Sequence, residues 1–299
     1  MINDTAYRKL TDLLTHIDGA YAPNTLRAYR ADMLEFITYC DANDLPGLPA
    51  TPETVAKFLM QTIQQGIKSS TIRRKVSSIS AIHRLSYLED PTKHPEVKIT
   101  QRRIFRQLGT RFDQAYPITR MLLDKLLAEC DTKLHGLRNR ALLLIAYESM
   151  RRRSELVGLR VEDIEWLDDE GASILLRRSK TDQLGQGKWI HLSTEATIAV
   201  QGWITAGGIN SGFLLRGIRT SGKVTDSLCE SRISRIYKHL ARKANIQEQT
   251  VREISGHSMR VGAAHDLLNH GASLPQIMIR GGWAKTDTVI RYIERVRPS

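Results

Sequence analysis

Apolar residues recur every three or four positions along most of this chain, and residues that start or stop helices stand between the runs. Leu26, Tyr29, Met33, Phe36 and Ile37 share one side of a predicted helix that Asn24 is placed to cap. Thr51-Pro52-Glu53 opens a second, with Val55, Phe58, Leu59 and Ile63 on its apolar face and Gly66 to stop it. Ser70 is placed to cap a third, where Ile72, Val76, Ile79 and Ile82 form the stripe. Arg73, Arg74 and Lys75 are therefore expected to project mostly away from it. From Asp90 to Tyr116 the helical period is lost. Lys93, Lys98, Arg102, Arg103, Arg106 and Arg111 are punctuated by Pro91, Pro95 and Pro117, which reads as a basic segment joining two domains.

From Ile118 the pattern changes to long helices around one β-hairpin. Helices are predicted over 119–130, 136–149, 154–159, 194–206, 227–244, 258–269, 274–280 and 286–296. Ala172 to Arg178 and Lys188 to Leu192 are short β-prone runs joined by the Gly-rich TDQLGQG, with Lys180 at the mouth of the hairpin. The predicted fold is thus mainly α: a helical N-terminal domain over 1–110, a basic linker over 111–117, and a mixed, mostly helical C-terminal domain with a small β-hairpin over 118–299. A length of 299 residues suffices for two cores.

Composition narrows the class. With 41% hydrophobic and 25% charged residues the chain is an ordinary globular mixture, and no apolar run is long enough to span a bilayer. The opening MINDTAYRKL has no apolar core of a signal peptide, so a cytoplasmic location and no membrane partner are expected. Cys40, Cys130 and Cys229 are odd in number, far apart and without metal-ligand spacing, which favours buried thiols over disulfides or zinc. Lys and Arg number 44 against 32 acids, a net charge of +12, as in proteins that bind polyanions. The excess is local. Residues 1–56 hold 4 basic and 8 acidic side chains, whereas 57–111 hold 12 and 3. A solvated helix face is the plainer reading of such a run, a phosphate-binding face the more specific one.

Four fragments in the second half carry chemistry: Arg152-Arg153-Ser154-Glu155-Leu156, Ser179-Lys180-Thr181, Gly256-His257-Ser258-Met259-Arg260, and Gly281-Gly282-Trp283 followed nine residues later by Tyr292. In this order and spacing they resemble the tyrosine recombinase (phage integrase) family, and within it the Cre-like subgroup. The resemblance is strong from about Asn139 to Ile293 and diffuse before Pro117. It implies a SAM-like helical core-DNA-binding domain ahead of a catalytic domain, and a site-specific recombinase that cuts and rejoins duplex DNA through a 3′-phosphotyrosine. It also implies a tetramer of this chain assembled on two DNA sites, working without ATP, metal or other cofactor.

The residue roles implied by the resemblance are chemically sensible. Charge on the nonbridging oxygens of a phosphodiester transition state calls for fixed cationic forks, and Arg152 and Arg260 fit that task. Only the family spacing selects Arg152 from the run 151–153. His257, three residues before Arg260, is expected on the same helical face, where it could donate to an oxygen or accept the tyrosine proton. Trp283 is expected to offer its indole N–H while its ring packs a wall, with plain core packing as the alternative. Lys180 is the implied general acid for the 5′ hydroxyl, and Glu155 an anchor for Arg152 or His257. Tyr292, among Val289, Ile290 and Ile293, is the implied nucleophile although a helical tyrosine is normally core. The other eight histidines, His265 and His270 among them, are expected to be structural. DNA contacts are expected from Arg73, Arg74, Lys75, Arg102, Arg103 and Arg106. A type IB topoisomerase that relaxes DNA, and a non-catalytic DNA-binding regulator, are the alternatives. The few residues after Tyr292 lead to the expectation of a monomer that assembles only on DNA.

Overall fold

The computed structural model describes residues 3–109, 114–168, 171–177 and 187–294. Lys180 with the tip of the predicted hairpin, Arg111, and residues 295–299 lie outside the described residues. The chain divides between residues 113 and 114 into two compact units.

The first unit is helical: α1 (Asp4–His16), α2 (Pro23–Ala42), α3 (Pro52–Gln64), α4 (Ser69–Leu85), a 3-10 turn at Pro91–Lys93, and α5 (Pro95–Leu108). Its core joins Leu10, Met33, Phe36, Phe58, Leu59, Ile72, Ile79, Ile82 and Ile104, so the predicted stripes of α2, α3 and α4 meet one another. Thr51 caps α3 through its side chain, which accepts from Thr54 N–H at 3.2 Å, and Gly66 follows in the left-handed region at φ 71°. Two caps differ from expectation. Asn24 and Ser70 lie inside their helices, which start at Pro23 and Ser69. Proline at the first helical position has its φ already set and no N–H to leave unpaired.

Two further differences concern the basic residues. Lys75 does not project into solvent: it is buried, pairs with Glu35, and lies 5.8 Å from the Phe58 ring. Packing of α2 against α4 brings acids to the polar edge of α4. There the buried Asp32 carboxylate also accepts from Arg74 at 2.6 Å and from Ser78 at 2.6 Å. The segment read as an irregular linker is largely the helix α5, because Pro95 starts it and Val97, Thr100 and Ile104 give it a buried face. Arg102, Arg103 and Arg106 are exposed on the other side.

The second unit contains α6 (Arg120–Ala128), α7 (Leu134–Ser149), α8 (Arg153–Val157), β1 (Ile164–Trp166), β2 (Ala172–Leu176), β3 (Lys188–Leu192), α9 (Thr194–Gly207), α10 (Glu230–Lys243), α11 (Glu248–Glu253), α12 (Ser258–Asn269), α13 (Leu274–Gly281) and α14 (Thr286–Ile293). Strands β2 and β3 form the expected antiparallel pair with Ile174 opposite Ile190. A third strand that the sequence pattern did not reveal, β1, adds to β2 with Ile164 opposite Ile174. Helix α7 is central and buried on nearly every side from Ala141 to Ala146, which is why its apolar pattern shows no single stripe. Cys40 and Cys130 are buried thiols, pushed by burial up to about 12 and about 11; Cys229 is instead exposed. Among the described residues, no helix is long and apolar enough to cross a membrane.

The chain enters this unit across α12. Ile118 N–H donates to Ser258 O at 3.0 Å, and a Cβ at Gly262 would lie 1.8 Å from Ile118 O. The backbone crossing therefore requires glycine there. Gly262→Ala is expected to lower stability by about 1–3 kcal/mol, the usual range for overpacking, read from the urea midpoint of the second unit's transition. An unchanged midpoint would show that the crossing can widen.

Candidate active site

The site begins where α7 ends. Met150 adopts the left-handed conformation at φ 53°, which turns the chain sharply and frees its carbonyl to accept from Arg260 Nη1 at 2.5 Å. The three consecutive arginines after it diverge. Arg151 is buried and donates to Ser149 O at 2.9 Å and to Arg280 O, tying the turn to α13. Arg152 is the N-cap of α8; its backbone N–H and its Nη1 bond the two oxygens of Glu155 at 3.0 and 2.8 Å. Arg153 lies across Gly256, where a Cβ would meet its side chain at 1.9 Å. Burial pushes the Glu155 carboxyl up, but the hydrogen bonds from Arg152 and the charges of Arg152 and Arg151 outweigh it, leaving Glu155 below the usual carboxylate range. The carboxylate stays ionised and holds Arg152 in one orientation.

Arg260, on α12, is 2% exposed. Its guanidinium carbon sits 4.0 Å from the centroid of the Trp283 ring, and its Nη2 has no hydrogen-bond partner among the described residues. Burial first, and the charge of Arg152 second, pull it down to about 9, so it is still a cation at neutral pH. A buried cation with an unused donor is costly unless an anion comes to it. Trp283 can lie flat over it because position 281 has no side chain: a Cβ there would stand 2.0 Å from the ring. Gly282 then turns the chain at φ 66° against Arg151. The Tyr292 ring follows 5.7 Å from that of Trp283.

His257 is not on the helix with Arg260 as expected but immediately precedes it as N-cap of α12. The residue is exposed at the surface, yet desolvation of the imidazole, then Arg153, Arg260 and Arg152, lower its pKa from the usual value. The neutral imidazole is favoured. The structure therefore brings Arg152, Glu155, His257, Arg260, Trp283 and Tyr292 into one unit around the α7–α8 turn. Lys180 lies outside the described residues. Among the described residues no group of three or more His, Cys, Asp or Glu is placed to hold a metal ion.

Two features escaped the sequence reading. The carbonyls at the end of α14 accept from Gln114 and His265. Separately, a cleft of about 840 Å³ is lined by His135, Arg138, Arg219, Arg232, Arg235 and His239, with no carboxylate among its lining residues. Arg138 is buried at its base and lowered to about 10 by burial and then Arg232. The alternation of basic and apolar residues in ESRISRIYKHLARK was the available signal for this face.

Comparison with known proteins places this arrangement. The chain belongs to the phage integrase family of tyrosine recombinases: residues 118–297 match the phage integrase family and residues 13–90 match the phage integrase N-terminal SAM-like domain. It is accordingly a site-specific recombination enzyme. Similar proteins include the recombinase cre of Escherichia phage P1, 29% identical over 93% of this chain and 85% of that one. The integrase/recombinase xerD homolog of Selenomonas ruminantium is 31% identical over 93% and 84%. Among solved structures, the XerH site-specific recombinase bound to palindromic difH substrate aligns with a TM-score of 0.65 at 16% identity, covering 91% of this chain and 76% of that one. The two relatives extend over both units, and the solved structure shares the fold.

Because the folded state disfavours a protonated His257, it binds fewer protons than the unfolded chain once pH falls below about 6.5. This contribution to stability is present above that value and is lost as pH falls toward the lowered folded-state pKa. His257→Gln is therefore expected to flatten the decline in stability between about pH 7.5 and about pH 5.5, measured by urea unfolding at each pH. Parallel declines in both proteins would contradict it.

Proposed function

We propose that the second unit is the catalytic domain and that Tyr292 attacks the scissile phosphate of duplex DNA. The O–P bond of a 3′-phosphotyrosine forms as the bond to the 5′ oxygen breaks. The observation that carries this reading is the buried Arg260, with an unused Nη2, stacked on Trp283 beside the Tyr292 ring. Arg260 and Arg152 hold the nonbridging oxygens, Glu155 keeps Arg152 oriented, and neutral His257 accepts the phenolic proton. Trp283 supports Arg260 with its ring face. Lys180 gives its proton to the departing 5′ oxygen, which leaves as the hydroxyl. Religation by the reverse steps conserves the bond energy, so no ATP is consumed.

The first unit is the core-DNA-binding domain. Its exposed Arg73, Arg74, Arg102, Arg103 and Arg106 supply phosphate contacts. Arg73 rests 4.7 Å over the Phe105 ring, and Arg74 is shared with Asp32. Lys75, already paired with Glu35, supports the helix instead. The basic cleft beside α10 adds a second DNA-facing surface. DNA is also what the solved relatives hold: XerH is bound to difH substrate, and the Tn1549 transposon integrase is in complex with transposon right end DNA. Protomers assemble as a tetramer on two sites, in the cytoplasm.

A duplex that the protein selects from a random-sequence pool, nicked near the scissile phosphate, tests the chemistry. Tyr292→Phe is expected to abolish the covalent adduct while leaving the Kd within about twofold; an adduct formed by the variant would remove Tyr292 from its role. Lys180→Ala should slow cleavage and be rescued by a 5′-phosphorothiolate leaving group, which needs no proton, and failure of rescue would eliminate Lys180 as the acid. Replacing Arg232 and Arg235 by Ala should reduce the salt dependence of binding by about one logarithmic unit for each phosphate no longer neutralised. An unaltered slope would mean that the cleft does not meet DNA.

A further inference from the structure

The C-terminal end of α14 is held from outside the helix. The last carbonyls of an α-helix have no partner within it, and here two of them are taken up by side chains. Gln114 Nε2 donates to Arg291 O at 2.9 Å and to Tyr292 O at 2.8 Å. His265 Nε2 lies 2.7 Å from the same Tyr292 oxygen, which can only accept, so the imidazole carries its proton on Nε2. Two donors thus converge on one carbonyl and use both of its lone pairs.

Helix α14 packs on α12 and α13 through a narrow face made by Val289, Tyr292 and Ile293. Val289 is its one fully buried residue, while Ile290 remains 47% exposed. A short helix with one fully buried residue shifts along its axis more readily than a core helix unless its end is tied. The two ties come from firm places. His265 is on α12, five residues after Arg260, so one helix carries both the buried cation and a hold on Tyr292. Gln114 begins the segment that is fixed by Tyr116 N–H to Glu253 O at 3.2 Å and by Ile118 N–H to Ser258 O at 3.0 Å.

We infer that Gln114 and His265 are positioning residues for the nucleophile, setting the axial height of the last turn of α14 by gripping the main chain of Tyr292. This rests on the reading of Tyr292 as nucleophile. The grip engages only the main chain and so fixes the point from which the phenol reaches. Gln114 is also the first residue of the second unit, so the entering chain and the nucleophile helix are joined directly by hydrogen bonds. Such a role predicts a change in the rate of attack without a change in DNA affinity, since both side chains are engaged by main-chain carbonyls of α14.

The test uses the full-length protein and the nicked duplex selected by binding. Gln114→Met keeps the length of the side chain but cannot donate; His265→Leu removes the second donor. Each is expected to slow single-turnover adduct formation by about tenfold to a hundredfold, the effect of small misplacements of reacting groups, with Kd within about twofold of the parent. His265→Gln, whose amide nitrogen can reach the place of Nε2, should recover most of the loss. Gln114→Met is at a partly exposed position and keeps the question open to refutation should His265→Leu fail to fold. Cleavage at the parental rate by Gln114→Met would overturn the inference, as would equal impairment by His265→Gln and His265→Leu. Tyr292→Phe separates the two claims: an adduct formed by that variant removes the nucleophile assignment and the inference with it. No adduct from Tyr292→Phe, together with full activity of Gln114→Met, removes the inference alone.

Discussion

A guanidinium buried without a complete set of partners is the constraint around which the second unit is arranged. Taking Arg260 out of water costs several kcal/mol that its bond to Met150 O and its contact with the Trp283 ring only partly offset. The neighbouring Arg152 adds repulsion, visible in the downward shift of Arg260. In the proposed chemistry a phosphate group offsets these costs. Its oxygens would give Nη2 an acceptor and set a negative charge between the two guanidinium groups. The second unit therefore holds an incompletely compensated buried charge, and the fold must be firm enough elsewhere to hold it.

That firmness comes from backbone placed where side chains would not fit. The left-handed Met150 aims a carbonyl inward, Gly281 lets an indole lie on the chain, and Gly262 lets the entering segment cross α12. Arg151, one residue from Arg152 in sequence, contributes structure instead: buried and bonded to carbonyls at both Ser149 and Arg280, it locks the turn to α13. Adjacent arginines thus do different work because a turn between two helices points successive side chains in different directions.

The first unit manages its charge in another way. Its excess of basic residues is partly met by acids on α2, where Asp32 and Glu35 take Arg74 and Lys75. The exposed arginines of α5 stand on the side opposite Val97, Thr100 and Ile104. Net charge read along the chain overstates what this unit presents to a polyanion, since pairs across helices are invisible in the linear count.

Periodicity alone determined most helices of both units, the hairpin strands, and the apolar faces that meet in the cores, because each depends on residues three or four apart, or two apart, in one segment. The ordered fragments around Arg152, His257, Arg260, Trp283 and Tyr292 made the family legible, since their order and spacing are set within single segments of the chain. Helix α5 was hidden by its prolines, which mark a helix start as readily as a loop. Strand β1, only three residues long, had too few positions to show a period. Only tertiary structure could decide that Lys75 turns inward to Glu35, that Arg151 is a brace beside Arg152, and that Gln114 and His265 converge on the carbonyl of Tyr292. Each of these joins residues far apart in the chain, or depends on the direction of a turn, and neither distance nor direction is written in local pattern.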